Sequence, residues 1–350
     1  MSKTIGLING GGTGAELIAC VIRCLDSIKA EMGLSFQIEQ FDNKKWQANM
    51  DEEKYHPGVH AELLKFYNHI QSRQGAIVRG SLPAPILYRL RRDLQQSVKL
   101  LPLNPFPALS IHPEFRAVLI REGSQGIYHY SEMSRSDAFV EVRINHDIEK
   151  LSTFASQVFQ IAELNGEDRV TTILKTSVLG ELGLLWLEIF RKESERHPSI
   201  RYVHRPSGAG FSDMWLEPGN YKVIATDDQG GDIISDLVPT VLYGSRNLVP
   251  AGNFSVQGHH SYQTDHGTIK PLEGKNEVNP CAMIGALAMA FRYTFNMLQL
   301  ADAINHSIEK ALTDGYRTAD MCFSSGHKRM GTVEMTEKVI ENLNLFMSKK

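Results

Sequence analysis

Runs rich in β-branched residues alternate with segments of helical period along almost the whole chain, and this alternation constrains the fold more than any other feature. Lys3 to Asn9 (KTIGLIN) reads as a strand, Gly10 to Gly14 as a glycine turn, Ala15 to Met32 as an amphipathic helix closed by Gly33, and Phe36 to Phe41 as a second strand. The same reading continues with a helix over His60–Ser72, a strand over Gly75–Arg79, a helix over Leu87–Leu100 and strands at Ala117–Arg121 and Ala138–Ile144. A helix over Glu149–Asn165, a strand over Arg169–Lys175 and a helix over Leu179–Glu193 follow, and helices at Pro280–Asn296, Leu298–Thr313 and Thr332–Leu345 close the pattern. Strands alternating with helices predict an α/β sheet protein. No repeat, low-complexity tract or linker marks a domain boundary.

With 350 residues, 42% hydrophobic and 22% charged, the chain is long enough for two domains or one bilobal one. Its net charge of -3 gives no basic field for nucleic acid or an anionic membrane. The four cysteines form no CxxC pair and no disulfide framework, as expected in a reducing compartment. No apolar run reaches membrane length and no targeting segment is apparent, so a cytoplasmic location is expected.

The chemistry is densest in Val223 to Leu237 (VIATDDQGGDIISDL), where a short strand over Val223–Thr226 is followed by turn formers through Gly231 and a helical pattern that begins at Asp232. Asp232 and Asp236 are four apart, so on a helix they share one face. Bare carboxylates placed so repel, and Mg²⁺ or Mn²⁺ would relieve that repulsion while holding an anionic oxygen of a substrate. The plainer alternative is an acidic first turn that stabilises the helix through its dipole.

Other stretches also admit two readings. GGGTGA satisfies the dinucleotide fingerprint if alanine is allowed in its last place, with Glu39 or Asp42 as the ribose acid; otherwise it is a turn that lets strand and helix pack closely. Arg89, Arg91 and Arg92 form either a solvated cationic face or an anion site after the Gly-Ser-Leu-Pro turn. His259, His260 and His266 lack metal-ligand spacing and read as solvated loop histidines.

Five pieces, LINGGGTGAE, LIREGSQGIY, VTTILKTSVL, GGDIISDL and HGTIKPLEGKNEVNP, stand in an order and at spacings that resemble the isocitrate and 3-isopropylmalate dehydrogenase family of β-decarboxylating dehydrogenases. The resemblance implies an open mixed α/β sheet in two lobes, the large one from residues 1–97 and 243–350. The small lobe, 98–242, would carry a homodimer interface across which the active sites are shared. It also implies that GGGTGA is not the nucleotide site.

The implied reaction oxidises a 2-hydroxy acid with NAD or NADP and then releases CO₂. Carried over by position, Asp232 and Asp236 hold the metal, Lys175 is the base reaching across the dimer and Tyr128 is the proton donor. Arg91 and Arg121 clamp substrate carboxylates, while His266 and Gly267 line the adenosine pocket that Asn279 closes. Leu87, Tyr88 and Val178 suggest an apolar pocket, favouring a malate with an apolar substituent over isocitrate.

Several positions depart from the family pattern. Its second clamping arginine falls on Leu101, leaving Lys99 nearby, and its third metal aspartate falls on Gly210, with Asp213 as the stand-in. The asparagine ahead of the GDILSD motif is Asp228, and Pro271 and Leu272 leave the choice of coenzyme open. Two functions are therefore expected to compete: a working decarboxylase, or a member without turnover that serves as a binding or regulatory subunit.

Overall fold

The computed structural model describes residues 3–50 and 54–348. β1 (Lys3–Ile8) runs through the glycine turn into α1 (Gly14–Met32), whose buried Leu17, Val21, Cys24, Leu25 and Ile28 recur at helical period, and Gly33 ends the helix at φ 65°. β2 (Phe36–Gln40) follows, then α2 (Asn43–Met50), α3 (Pro57–Ser72), β3 (Ala76–Arg79), α4 (Ala84–Asp93) and β4 (Val98–Pro102). β5 (Val118–Glu122) leads to an exposed hairpin, β6 (Glu132–Arg135) and β7 (Val140–Arg143), and then to α5 (Ile148–Leu164) and β8 (Arg169–Leu174). The middle of the chain closes with α6 (Gly180–Ser194), β9 (Arg201–Pro206), α7 (Ser207–Leu216), β10 (Val223–Thr226) and α8 (Asp228–Tyr243). β11 (Pro250–Phe254), β12 (Ser261–Thr264), α9 (Cys281–Tyr293), α10 (Leu298–Thr313), the two-residue strands β13 (Tyr316–Arg317) and β14 (Lys328–Arg329), and α11 (Thr332–Met347) complete it.

Ten of these strands form one mixed sheet in the order β2-β1-β3-β12-β11-β4-β5-β10-β8-β9. β2, β1, β3 and β12 run parallel, as do β5, β10, β8 and β9, and antiparallel pairings through β11 and β4 join the two blocks. Nearly continuous burial along β1, β3, β8 and β10 matches their apolar runs, as parallel strands covered on both faces require. Among the described residues no helix is long and apolar enough to cross a membrane.

Two expectations need correction. The helix read over Leu87–Leu100 stops at Asp93: Gln95 turns the chain at φ 51°, and Val98, Lys99, Leu100 and Leu101 enter the middle of the sheet. An apolar run of that length satisfies strand and helix alike, so the sheet decides. The histidines read as solvated are not: His259 and His266 are buried and His260 is half-buried, because β11 and β12 draw this polar segment into the sheet. His259 bonds Asn68 at 2.9 Å and His260 bonds Thr294 at 3.1 Å.

The glycine turn is built for close packing. A Cβ at Gly14 or Gly80 would run into the Asn9 carbonyl, and one at Gly12, where φ is +55°, would strike the Thr268 carbonyl. The amides of Gly11 and Thr13 donate to Ser81 and Thr268, so those donors are not aimed at a pyrophosphate. Glu39 is paired with His69 and Arg73. One turn into α1, Glu16 accepts from the amides of Gly274 and Asn276, which ties the 266–280 loop to this helix.

Candidate active site

The carboxyl ends of β5, β10 and β8 deliver Arg121, Asp227 with Asp228, and Lys175 to one side of the sheet, where open α/β sheets commonly hold ligands. Asp227 caps α8 by accepting from the Gly230 amide at 2.6 Å, so the helix begins at Asp228, a full turn earlier than Asp232. Gly231 then matters by what it lacks. A Cβ there would stand 2.6–2.8 Å from the Arg121 stem, so only glycine lets that arginine lie across the first turn of α8.

Arg121 is almost completely saturated. Its Nε donates to Asp228 Oδ1 at 2.7 Å, Nη2 meets the same oxygen at 2.6 Å, and Nη1 donates to Asp232 Oδ1 at 2.5 Å. Nη2 also reaches Tyr88 Oη at 3.4 Å, and Tyr128 Oη donates to Asp232 Oδ2 at 3.3 Å. Burial opposes the charge on Arg121, but the two carboxylates overcome it and hold the guanidinium more firmly protonated than usual. Burial also pushes the Asp228 carboxyl up; with a guanidinium in direct contact the pair stays ionised. Burial, with Asp232 adding to it, raises the Tyr128 phenol to about 12, so it keeps its proton at neutral pH.

Further cations lie behind this network. Lys99, opposite Arg121 in the β4–β5 register, pairs with Asp265, and both side chains are only 6% exposed. Burial brings Lys99 down to about 8, whereas Lys99 outweighs burial at Asp265 and holds that carboxyl below its ordinary range, so both are charged at pH 7. Arg91 is 2% exposed, its Nε bonds nothing, and it has no carboxylate partner among the described residues. Burial and the nearby Arg121 lower it to about 10. Arg79 is fully buried, with Nε and Nη2 unbonded. His129 is driven down to about 3 by burial and by Arg91, Arg121 and Arg92, and so is neutral.

The expected metal ligands are not gathered. Asp232 is 43% exposed and engaged by Arg121, Asp236 is 50% exposed and paired with Arg246 at 2.6 Å, and Asp213 pairs with Arg205 in a separate cavity of about 160 Å³. Among the described residues no three candidate ligands converge. Asp232 and Asp236 still fit a divalent ion as a half-site, because they share a helix face, stand open to solvent and repel, Asp232 adding to the burial that raises Asp236.

Lys175 and Tyr128 line different cavities. Exposed Lys175 borders one of about 390 Å³ with Ile127, His146, Leu179, Trp186 and Asp228; Tyr128 borders one of about 410 Å³ with Pro85, Tyr88, Arg89, Arg92 and Tyr130. Leu87 packs into the second hydrophobic core beside α3 and α4, and Val178 is 69% exposed. His266 points Nδ1 at the Gly267 carbonyl and leaves Nε2 buried without a partner, while Asn279 is spent on the Cys281 amide and Asp320. The sequence reading gave no role to Asp228, Asp265 or Arg79. The doubled aspartate after a strand was the available signal for Asp228; Asp265 and Arg79 carried none before their neighbours were known.

The family described as isocitrate/isopropylmalate dehydrogenase matches residues 4–339 of the chain. The 3-isopropylmalate dehydrogenase of Brucella suis is 27% identical over 97% of both chains, and that of Xanthomonas axonopodis pv. citri is 29% identical over 98% of this chain and all of the relative. The isocitrate dehydrogenase structure from Methylococcus capsulatus superposes with a TM-score of 0.82 at 22% identity, covering 98% of this chain and 99% of that one, a likeness of fold.

Proposed function

Because the chain belongs to the isocitrate/isopropylmalate dehydrogenase family, one of NAD(P)-dependent β-decarboxylating dehydrogenases, we propose that it oxidises a 2-hydroxy acid and releases CO₂ from the neighbouring carbon. The substrate is a malate with an apolar substituent, and the coenzyme is NAD or NADP. The observation that carries this reading is the hydrogen-bonded cluster of Arg121, Tyr128 and Asp232 beside a ring-lined cavity. Arg91 takes a substrate carboxylate, and Arg121 fixes the orientation of Asp232. Tyr128, protonated at working pH, returns a proton to the carbon that CO₂ leaves. Lys175, exposed at its own cavity, takes the hydroxyl proton in the partner's site.

Asp232 and Asp236, joined by the partner subunit's Asp213, would hold Mg²⁺ or Mn²⁺, and that ion would polarise the hydroxyl as a Lewis acid. His266, with its buried, unpartnered Nε2, and Gly267 border the coenzyme, and Asn279 shapes the loop behind them. A homodimer through residues 98–242, with 1–97 and 243–350 as the larger lobe, is supported by exposed Val178, Leu179, Leu184, Ile233, Leu237 and Val241 on neighbouring elements. Free cysteines at all four positions agree with a cytoplasmic setting.

The test is NADH or NADPH formation across a panel of 2-hydroxy acids with Mn²⁺ present. Turnover is expected with a substituted malate; Lys175→Ala lowers it by at least about 100-fold while Mn²⁺ binding persists, and Asp232→Asn weakens Mn²⁺ binding itself. Equal activity in both variants contradicts the roles assigned. A second reading, a member without turnover acting as a binding or regulatory subunit, is favoured by Asp228, which neutralises the clamping arginine from within. Absence of turnover with every acid and both coenzymes selects it.

A further inference from the structure

β5 ends on two ionisable residues that point to opposite faces of the sheet, as successive side chains on a strand do. Arg121 enters the site, whereas Glu122 turns away from it, is 1% exposed, and meets no cation within ion-pair distance among the described residues. Its carboxyl is met by the chain that follows. Oε2 accepts from the Gln125 amide at 2.8 Å, both oxygens accept from the Ser124 amide at 3.2 Å, and Oε1 lies 2.7 Å from the Ser124 hydroxyl. The Gly123 amide donates to the Ser97 carbonyl at 2.8 Å, and the Gln125 side chain accepts from the Asp147 amide, at the head of α5, at 2.8 Å. Gly126 then turns the chain at φ +106°, where an added Cβ would stand 3.4 Å from the Asp228 side chain. Its carbonyl accepts from the His129 amide at 3.0 Å, closing the short helical turn Ile127–His129 from which the Tyr128 hydroxyl reaches Asp232. Ring contacts from Tyr88 steady the side chains of Tyr128 and His129, but the backbone leading to them is held by Glu122.

We propose that Glu122 is a positioning residue: by binding the Ser124 and Gln125 amides it fixes the turn that carries Tyr128, and so sets where the phenol stands against the carbon that CO₂ leaves. The inference rests on the dehydrogenase reading for the role of Tyr128, and on the hydrogen bonds alone for the hold on the turn. Without an acceptor at 122 the two amides would be buried unpaired, a cost that the turn escapes only by moving. A proton-transfer group displaced by about 1 Å can lose about 100-fold in rate, so a small movement suffices. The hold does not depend on charge. Burial raises this carboxyl to about 8, so it is mostly protonated at neutral pH. A proton on Oε1 is donated to the Ser124 hydroxyl, and Oε2 still accepts from the Gln125 amide. Glu122→Gln reproduces that arrangement, with its nitrogen toward the hydroxyl and its oxygen toward the amides. Glu122→Leu offers no acceptor, and Glu122→Asp draws the acceptor back by one CH₂.

The experiment measures kcat and KM of the full-length protein with Mn²⁺, coenzyme and 3-isopropylmalate, or whichever substituted malate the panel turns over fastest. The three Glu122 variants are each made alone and in the Tyr128→Phe background. Glu122→Leu and Glu122→Asp are expected to lower kcat at least about 10-fold with KM changed by less than about 3-fold, Glu122→Gln to keep kcat within about 3-fold, and none to lower kcat further in the Tyr128→Phe background. A purely structural role would instead multiply the two losses. A second readout needs no turnover: fluorine NMR of protein labelled with 3-fluorotyrosine, in which the Tyr128 line is the one missing from Tyr128→Phe. That line is expected to move in Glu122→Leu and Glu122→Asp and to stay in place in Glu122→Gln. If Glu122→Leu does not fold, Glu122→Asp carries both readouts. An unmoved line in Glu122→Asp, equal losses in Glu122→Gln and Glu122→Asp, or losses that multiply with Tyr128→Phe overturn the proposal and leave the dehydrogenase reading intact. Absence of turnover in the wild-type protein with every acid overturns that reading, and with it the part of Glu122 in the reaction, while the fluorine line still decides whether Glu122 holds the turn.

Discussion

Lys99 on β4 meets Asp265, the residue after β12, and their near-complete burial fixes what removal of either costs. Asp265→Ala strands an ammonium in the interior and is expected to destabilise the fold by about 3–5 kcal/mol, whereas the double change Lys99→Met with Asp265→Leu recovers most of that loss. Urea denaturation of the single and double variants measures both, and a single-variant loss no larger than the double one contradicts the pairing. This pair also marks the limit of what could be read from the residues alone. Arg121, Tyr128 and Asp232 were legible because each stands in a short motif of fixed order. Asp228 and Asp265 draw their meaning from a cation on another strand, 107 residues away for Asp228, which no local pattern carries.

At the scale of elements, α8 shows how an absent side chain sets a site. Gly231→Ala would thrust a methyl into the Arg121 stem, which is boxed in by Asp228, Asp232 and Tyr88. The expected result is a loss of about 1–3 kcal/mol together with weakened acid binding, read by denaturation and calorimetry on one sample. An unchanged midpoint with full binding would mean that Arg121 has room to move. The start of α8 was misplaced in the sequence because two glycines and a glutamine after Asp228 look like turn formers; the cap from Asp227 overrides that weak propensity. The end of α4 was misplaced for the opposite reason. Its cationic turn and the apolar strand after it merge into one helical period, and only the sheet separates them.

Seven of the thirteen histidines are buried or partly buried with lowered pKa values. Burial lowers His60, His129, His146, His204, His259, His260 and His266, with His129 at about 3 and His260 at about 4. A histidine depressed in the folded state gives stability that is complete above the unfolded value of about 6.5 and is lost as pH falls toward the folded value, at most about 1.4 kcal/mol per pH unit for one group. Glu122, which burial raises to about 8, works in the opposite sense, losing stability as pH rises from 4.5, and burial also raises Glu167, Asp227, Asp228 and Asp236, so five carboxyls oppose seven histidines. The melting temperature is therefore expected to fall from pH 7 to pH 5, less steeply in His129→Gln. A flat profile over that window contradicts the burial of these rings.

The sheet itself was anticipated as α/β from the alternation of strands and helices, but its two opposed parallel blocks were not, since strand direction depends on connections that composition does not encode. That arrangement brings the first turn of α1 beside a segment that the chain reaches only 258 residues later. Through the grip of Glu16 on two amides there, the contour of the 266–280 segment is set from upstream as well as by its own Asn276 and Asn279. Recognition at that rim is thus a property of the assembled scaffold, and transplanting the segment onto another protein would carry over its letters without its shape.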